Sequence, residues 1–247
     1  MNKILRKLLA VGALLAGALP LMYAQAPKHE MRGAWVATVY GIDWPSVQGA
    51  TPEIAEQQKA ELTTLIDTLQ TAGLNAIFLQ VRPMADAIYA SDKEPWSSYL
   101  TGRRGTAPAD GWDPLAFAVE EAHARGMELH AWVNPLRFAA SSASLPSTPA
   151  DTRALRNGWI LKSGKSPAVF DPANESAVQH VVDVCRDIIR RYDIDGLVFD
   201  DYFYPDRFPR QANEPADRYG ELRRHYVNKT VAAVHAMVEK TKPWVRF

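Results

Sequence analysis

A chain of 247 residues, 47% of them hydrophobic, suits one large α/β domain or two small ones and excludes a disordered polypeptide. Its 28 Lys and Arg balance 28 Asp and Glu and are scattered, so no basic stripe speaks for nucleic acid or an anionic membrane surface. The single cysteine, Cys185, excludes an internal disulfide and falls in the apolar pattern of a helix, as a core thiol does.

Residues 1–26 read as a secretory signal peptide, with an uncleaved anchor as the alternative. Lys3, Arg6 and Lys7 make a positive start, Leu8 to Leu21 is apolar, and Met22-Tyr23-Ala24 and Ala24-Gln25-Ala26 offer small-residue cleavage sites. The expectation is an exported, periplasmic or extracellular protein with no stable membrane anchor after cleavage. Residues 27–247 are left to form the folded domain.

Arg32 to Val39 reads as a first strand, followed by a loop carrying Asp43-Trp44-Pro45. Thr51-Pro52-Glu53 opens a helix with a cap, a proline in the first turn and an acid at the positive end, and Gly73 stops it. Asn75 to Val81 is almost wholly apolar, as in a strand covered on both faces. After a long loop from Arg82 to Gly111, Asp113 caps a second helix, Pro114 takes its first position and Trp112 can staple to Phe117. Met127 to Val133 is the third strand, and another long loop reaches Phe170. Asp171-Pro172 repeats the helix-opening signature, and Val178, Val181, Val182, Cys185, Ile188 and Ile189 give the third helix its apolar face. Asp195 to Phe199 is the fourth strand. A helix over about 221–239 follows, with Val227, Val231, Val234 and Val238 inward, and Pro243 to Phe247 begins a fifth strand.

Strand and helix alternate four times, so the fold class is α/β with a parallel sheet. Helix-to-strand turns are short and two strand-to-helix loops are long, as in a (β/α)8 TIM barrel whose site lies at the strand C-termini. No glycine-rich phosphate loop follows any strand, which disfavours a nucleotide site. Side-chain alternation places Glu128, His130, Trp132 and Asn134 on one face, with Gln80 and Arg82 together and Val198, Asp200 and Tyr202 inward. For Glu128 and His130, lower in the barrel, a satisfied polar layer is an equal reading.

Four segments carry a resemblance: Arg32-Gly33-Ala34-Trp35-Val36, Gln80-Val81-Arg82-Pro83, His130-Ala131-Trp132-Val133-Asn134-Pro135 and Asp200-Asp201-Tyr202-Phe203-Tyr204-Pro205. With a weaker match at Arg223-Arg224 and Val227-Asn228, the chain resembles the bacterial glycosyl hydrolase-like family 10 over about residues 30–247. The resemblance implies a TIM-barrel glycosidase, in some members acting on peptidoglycan glycan strands. It covers the N-terminal half of the family domain, about four β/α units and the start of strand five. A truncated sequence is therefore expected, with completion by a partner as the alternative. The fourth strand is also distantly similar to the acidic motif of family 18 chitinases, but Tyr202 stands where the catalytic Glu would be, so that mechanism is not implied.

The expected chemistry is hydrolysis of a polysaccharide or oligosaccharide. Asp200 would be nucleophile or charge stabiliser, with Asp201 as its neighbour and alternative. The second carboxyl would be Asp43 or Asp86, or would lie beyond this chain. Arg82 and Asn134 are expected to bond sugar hydroxyls or hold the carboxylate ionised. Trp35, Trp132, Tyr202 and Tyr204 are candidates for stacking on sugar rings, with plain packing an equal reading for each. No cofactor or metal is expected. A glycan-binding barrel without catalysis and a metal-dependent hydrolase using Asp200, Asp201 and His130 are the alternatives.

Overall fold

The computed structural model describes residues 30–200, 202–205 and 208–247. The predicted signal peptide, and Asp201, the predicted alternative to Asp200, lie outside the described residues. The folded unit runs from Arg32 to Phe247.

Strand β1 (Gly33–Val36) leads to α1 (Pro52–Thr71), and β2 (Ala76–Arg82) leads through the short α2 (Ser98–Thr101) to α3 (Pro114–Ala124). Strand β3 (Glu128–Val133) is followed by an excursion of β4 (Arg137–Ala139), α4 (Pro149–Arg156), β5 (Ile160–Leu161) and β6 (Ala168–Phe170). The chain then forms α5 (Glu175–Arg191), β7 (Gly196–Phe199) and α6 (Tyr219–Thr241). The main sheet has the order β1-β2-β3-β7 and every pairing in it is parallel. Residues Val36, Leu79, Ala131 and Leu197 form one register row. They are buried in a single core with Leu62, Leu115, Val181 and Ile188 of the helices. The next row, Trp35, Phe78, His130 and Gly196, belongs to the opposite face. Parallel strands with helices over one face and polar and aromatic groups on the other make this a partial (β/α) barrel.

The helix starts follow the sequence chemistry. Thr51 accepts from the N–H of Ile54, and Asp113 from those of Leu115 and Ala116, each with proline next in the chain. The rings of Trp112 and Phe117 lie 6.4 Å apart across the predicted staple. At Asp171-Pro172 the expectation fails. The Asp171 carboxylate takes the N–H of Ala173 in a local turn, and Asn174 caps α5 instead, accepting from Ser176 and Ala177. The loop expected from Asn134 to Phe170 holds a three-stranded antiparallel sheet of order β4-β6-β5 and a helix with its own capping box at Thr148 and Asp151. In α6, Val234 and Val238 are buried as expected, but Thr230 and Met237 take the places assigned to Val227 and Val231. The Thr230 hydroxyl bonds back to Tyr226 O, which lets a polar residue sit inward. The predicted fifth strand begins beside β7: Leu197 N donates to Arg246 O at 2.8 Å and Arg246 N to Asp195 O at 3.0 Å.

Candidate active site

At the C-terminal ends of the parallel strands, one hydrogen-bonded chain crosses the whole sheet. Gln80 Oε1 accepts from the backbone N–H groups of Thr38 and Val39, both at 2.9 Å. Because those donors claim its oxygen, Gln80 must present its amide NH2 to the next group, and Nε2 donates to Asn134 Oδ1 at 2.6 Å. Asn134 is thereby turned so that its Nδ2 donates to Asp200 Oδ2. The other carboxylate oxygen of Asp200 accepts from Tyr202 N at 3.2 Å. Thr38, Gln80 and Asn134 are each at most 1% exposed, whereas Asp200 is partly open. A buried amide relay thus ends on an accessible carboxylate, which it orients.

The aromatic groups lie along the same face. Trp35 is 50% exposed; it stacks on Phe78 with ring centroids 4.9 Å apart and meets Trp132 edge-on, also at 4.9 Å. The Tyr202 ring carries the Arg137 guanidinium 3.9 Å from its centroid. Tyr204 lies farther out, under Arg223 at 4.7 Å, and burial pushes its phenol upward.

Two expected site residues are elsewhere. Pairing passes from Gln80–Trp132 to Arg82–Val133, so β2 gains one residue and strict alternation is lost. Arg82 does not share the face of Gln80. It is fully buried, with Nε and Nη2 on the two oxygens of Glu94 at 2.7 and 2.6 Å and Nη1 on the carbonyls of Asn134 and Pro135. Burial pushes the Glu94 carboxyl up, but Arg82 and a bond from His180 outweigh it and bring Glu94 down to about 2. Arg82 therefore braces the backbone beside Asn134 and is not placed to meet a sugar. Asp86 is likewise buried, held by Arg104 at 3.0 Å and by Met84 N at 2.8 Å. Burial raises its carboxyl despite Arg104. Asn134 has its amide engaged on both sides and positions Asp200. Asp43 is exposed beyond β1, where its carboxylate caps Ala37 N at 2.7 Å.

Deeper on the same face, His130 Nε2 lies 3.0 Å from Glu128 Oε2. Glu128 in turn pairs with Arg246, whose hydrogen bond outweighs the effect of burial and lowers its carboxyl. This is the satisfied polar layer, four residues below Asp200 in register and so about 13 Å down the strand. Among the described residues no three His, Cys, Asp or Glu side chains converge as metal ligands would.

The family model described as Glycosyl hydrolase-like 10 matches residues 30–247. The chain is 36% identical over 244 residues to "Glycosyl hydrolase YngK" of Bacillus subtilis (strain 168), covering 93% of this chain and 46% of that protein. It is 34% identical over 255 residues to "Glycosyl hydrolase DigH" of Escherichia coli (strain K12), covering 94% of this chain and 57% of that one. The chain thus spans about half the length of these relatives. Among solved structures, the alpha-galactosidase of Lactobacillus brevis superposes with a TM-score of 0.52 at 17% identity, over 88% of this chain and 26% of that one. The alpha-L-fucosidase isoenzyme 2 of Paenibacillus thiaminolyticus gives 0.54 at 12% identity, over 89% and 32%. These likenesses show the fold.

Proposed function

The chain belongs to the glycosyl hydrolase-like 10 family, and we propose that its strand tips serve glycoside hydrolysis with Asp200 as an essential carboxylate. The observation that supports this most is the relay from Thr38 and Val39 through Gln80 and Asn134 to Asp200. Three strand tips contribute buried polar groups that converge on one accessible acid at the tip of the fourth, next to the partly exposed Tyr202. Such an acid can attack an anomeric carbon or stabilise the oxocarbenium-like charge that develops there. Trp35, half exposed and backed by Phe78, lies in the register row of His130, well below Asp200 and three strands away, so the ring next to the acid is that of Tyr202 and not Trp35. Of the two loop acids considered as partner, Asp86 is committed to Arg104, and Asp43 stands open on the rim. A carboxyl separation of about 5–5.5 Å in the substrate complex would give retention, and about 6.5–9.5 Å inversion.

The substrate class proposed is a glycan of the cell envelope, in particular peptidoglycan glycan strands. The signal-like composition of residues 1–26, which would export the protein, supports this reading. Asp200→Asn keeps the size and the bond from Asn134 but removes the charge. It should lower release of reducing ends from purified glycan strands by at least about a thousandfold, with an unchanged melting curve. Near-normal turnover by this variant overturns the assignment. Glycan binding by the unmodified protein without any release of sugar would identify a binding barrel instead.

A further inference from the structure

Among the described residues, three arginines around the strand tips are committed to carboxylates, and Arg137 is not. Arg223 lies over Tyr204 with its donors committed to Glu214 at 2.7 Å and to the carbonyl of Phe208 at 2.9 Å. Arg82 is spent on Glu94, and Arg104 on Asp86 and Asp151. Arg137 is half-buried and flat on the Tyr202 ring, 3.9 Å from its centroid, yet among the described residues no oxygen accepts from its guanidinium. Stacking uses the face of the group and leaves its planar edge of N–H donors for another partner. Arg137 is thereby tied to the residue whose backbone N–H binds Asp200 Oδ1, two positions along the chain from the proposed catalytic acid.

A partly exposed guanidinium is weakly hydrated and readily exchanges that water for an anionic ligand group. The fork of a guanidinium matches a planar carboxylate through two parallel bonds, whereas sugar hydroxyls need no charge. An acidic sugar substituent brought next to Asp200 would also be repelled without a cation between them. We propose that Arg137 is a specificity-determining residue that receives a carboxylate substituent of the saccharide bound beside Asp200. This rests on the glycosidase reading above and names the group that the site selects for.

The test uses the full chain carrying Asp200→Asn, so that ligand is not consumed. Binding is measured by calorimetry to peptidoglycan glycan fragments with free carboxylates and to the same fragments methyl-esterified. The free form should bind at least about tenfold tighter than the ester. Adding Arg137→Gln should bring the two affinities together by weakening the free form alone. Arg137→Lys keeps the charge and the stem, loses the fork, and should retain part of the preference; it also guards against a folding defect in the glutamine variant. Equal affinity for both forms in the Asp200→Asn background, or a preference that survives Arg137→Gln, overturns the role of Arg137 while the glycan site stands. Failure to bind either form overturns the glycan reading itself, and this proposal with it.

Discussion

Two amide side chains convert backbone geometry into the orientation of a carboxylate. Gln80 is read by two peptide N–H groups and cannot flip without stranding both, and this in turn sets Asn134 and then Asp200. A different single-residue constraint operates one layer down. Gly196 faces the His130 ring so closely that an added Cβ would stand 2.0 Å from Nδ1. His130 cannot retreat freely, because Phe78 lies 4.8 Å behind it and Glu128 holds its other nitrogen. Gly196→Ala should therefore cost about 1–3 kcal/mol as overpacking, seen as a lower urea midpoint with an unchanged slope. A variant as stable as the parent would mean that the ring has room to move. Gly196 begins the strand that carries Asp200, so its small size is a packing requirement that the proposed catalytic strand imposes on its neighbour.

At the scale of elements, β3 and β7 keep the alternation that the sequence displays, so the inward placement of His130, Trp132, Asn134 and Asp200 is legible from spacing. The bulge in β2 is not. A one-residue slip between Gln80 and Arg82 leaves no mark in an apolar run, yet it moves an arginine from the barrel face to a buried seat against α5. The caps at Thr51 and Asp113 are legible because proline at the first helical position is specific, while Asp171-Pro172 closes a turn before the true cap. Strands β4, β5 and β6 have two or three residues each, too few for a periodic signal, so nothing in the spacing singles out Arg137. The seat of Arg82 has a pH signature. Glu94 ionises at about 2 in the fold against an ordinary 4.5, so the unfolded chain binds its proton first as the pH falls. Its contribution is complete above about pH 4.5 and is lost as the pH drops toward 2. Glu94→Gln leaves Arg82 buried without its anion and should cost about 3–5 kcal/mol near neutrality. The gap between the two proteins in urea should narrow as the pH is lowered through that window. A gap independent of pH would show that the carboxylate charge is not what braces the strand tip.

Across the whole molecule, the division of labour follows from the sheet having two unlike faces. The helix-covered face is continuous and apolar, from Val36 through Leu79 and Ala131 to Leu197, and it carries the stability. The other face holds rings and polar relays that are partly open, and it carries the proposed chemistry. The asymmetry of short and long connections makes this arrangement legible in the amino-acid sequence alone, because long loops after strands can only gather at one end of a parallel sheet. Residue contacts within those loops are not legible in that way, since they depend on where Arg104 and Arg137 come to rest. Pairing among the described residues is also uneven: β2 and β3 are bonded on both sides, β1 on one side, and β7 receives its second neighbour around Arg246. Opening of β2 or β3 therefore requires breaking two ladders and exposing the shared core, whereas β1 can separate from one. Amide exchange under native conditions should be slowest in peptides covering Ile77–Val81 and Leu129–Val133, faster in Ala34–Val36, and fastest in residues 243–247. Equal protection of β1 and β3 would mean that the four strands open as one unit, and that the strand-tip relay, which spans all of them, contributes to their cooperativity as well as to the posture of Asp200.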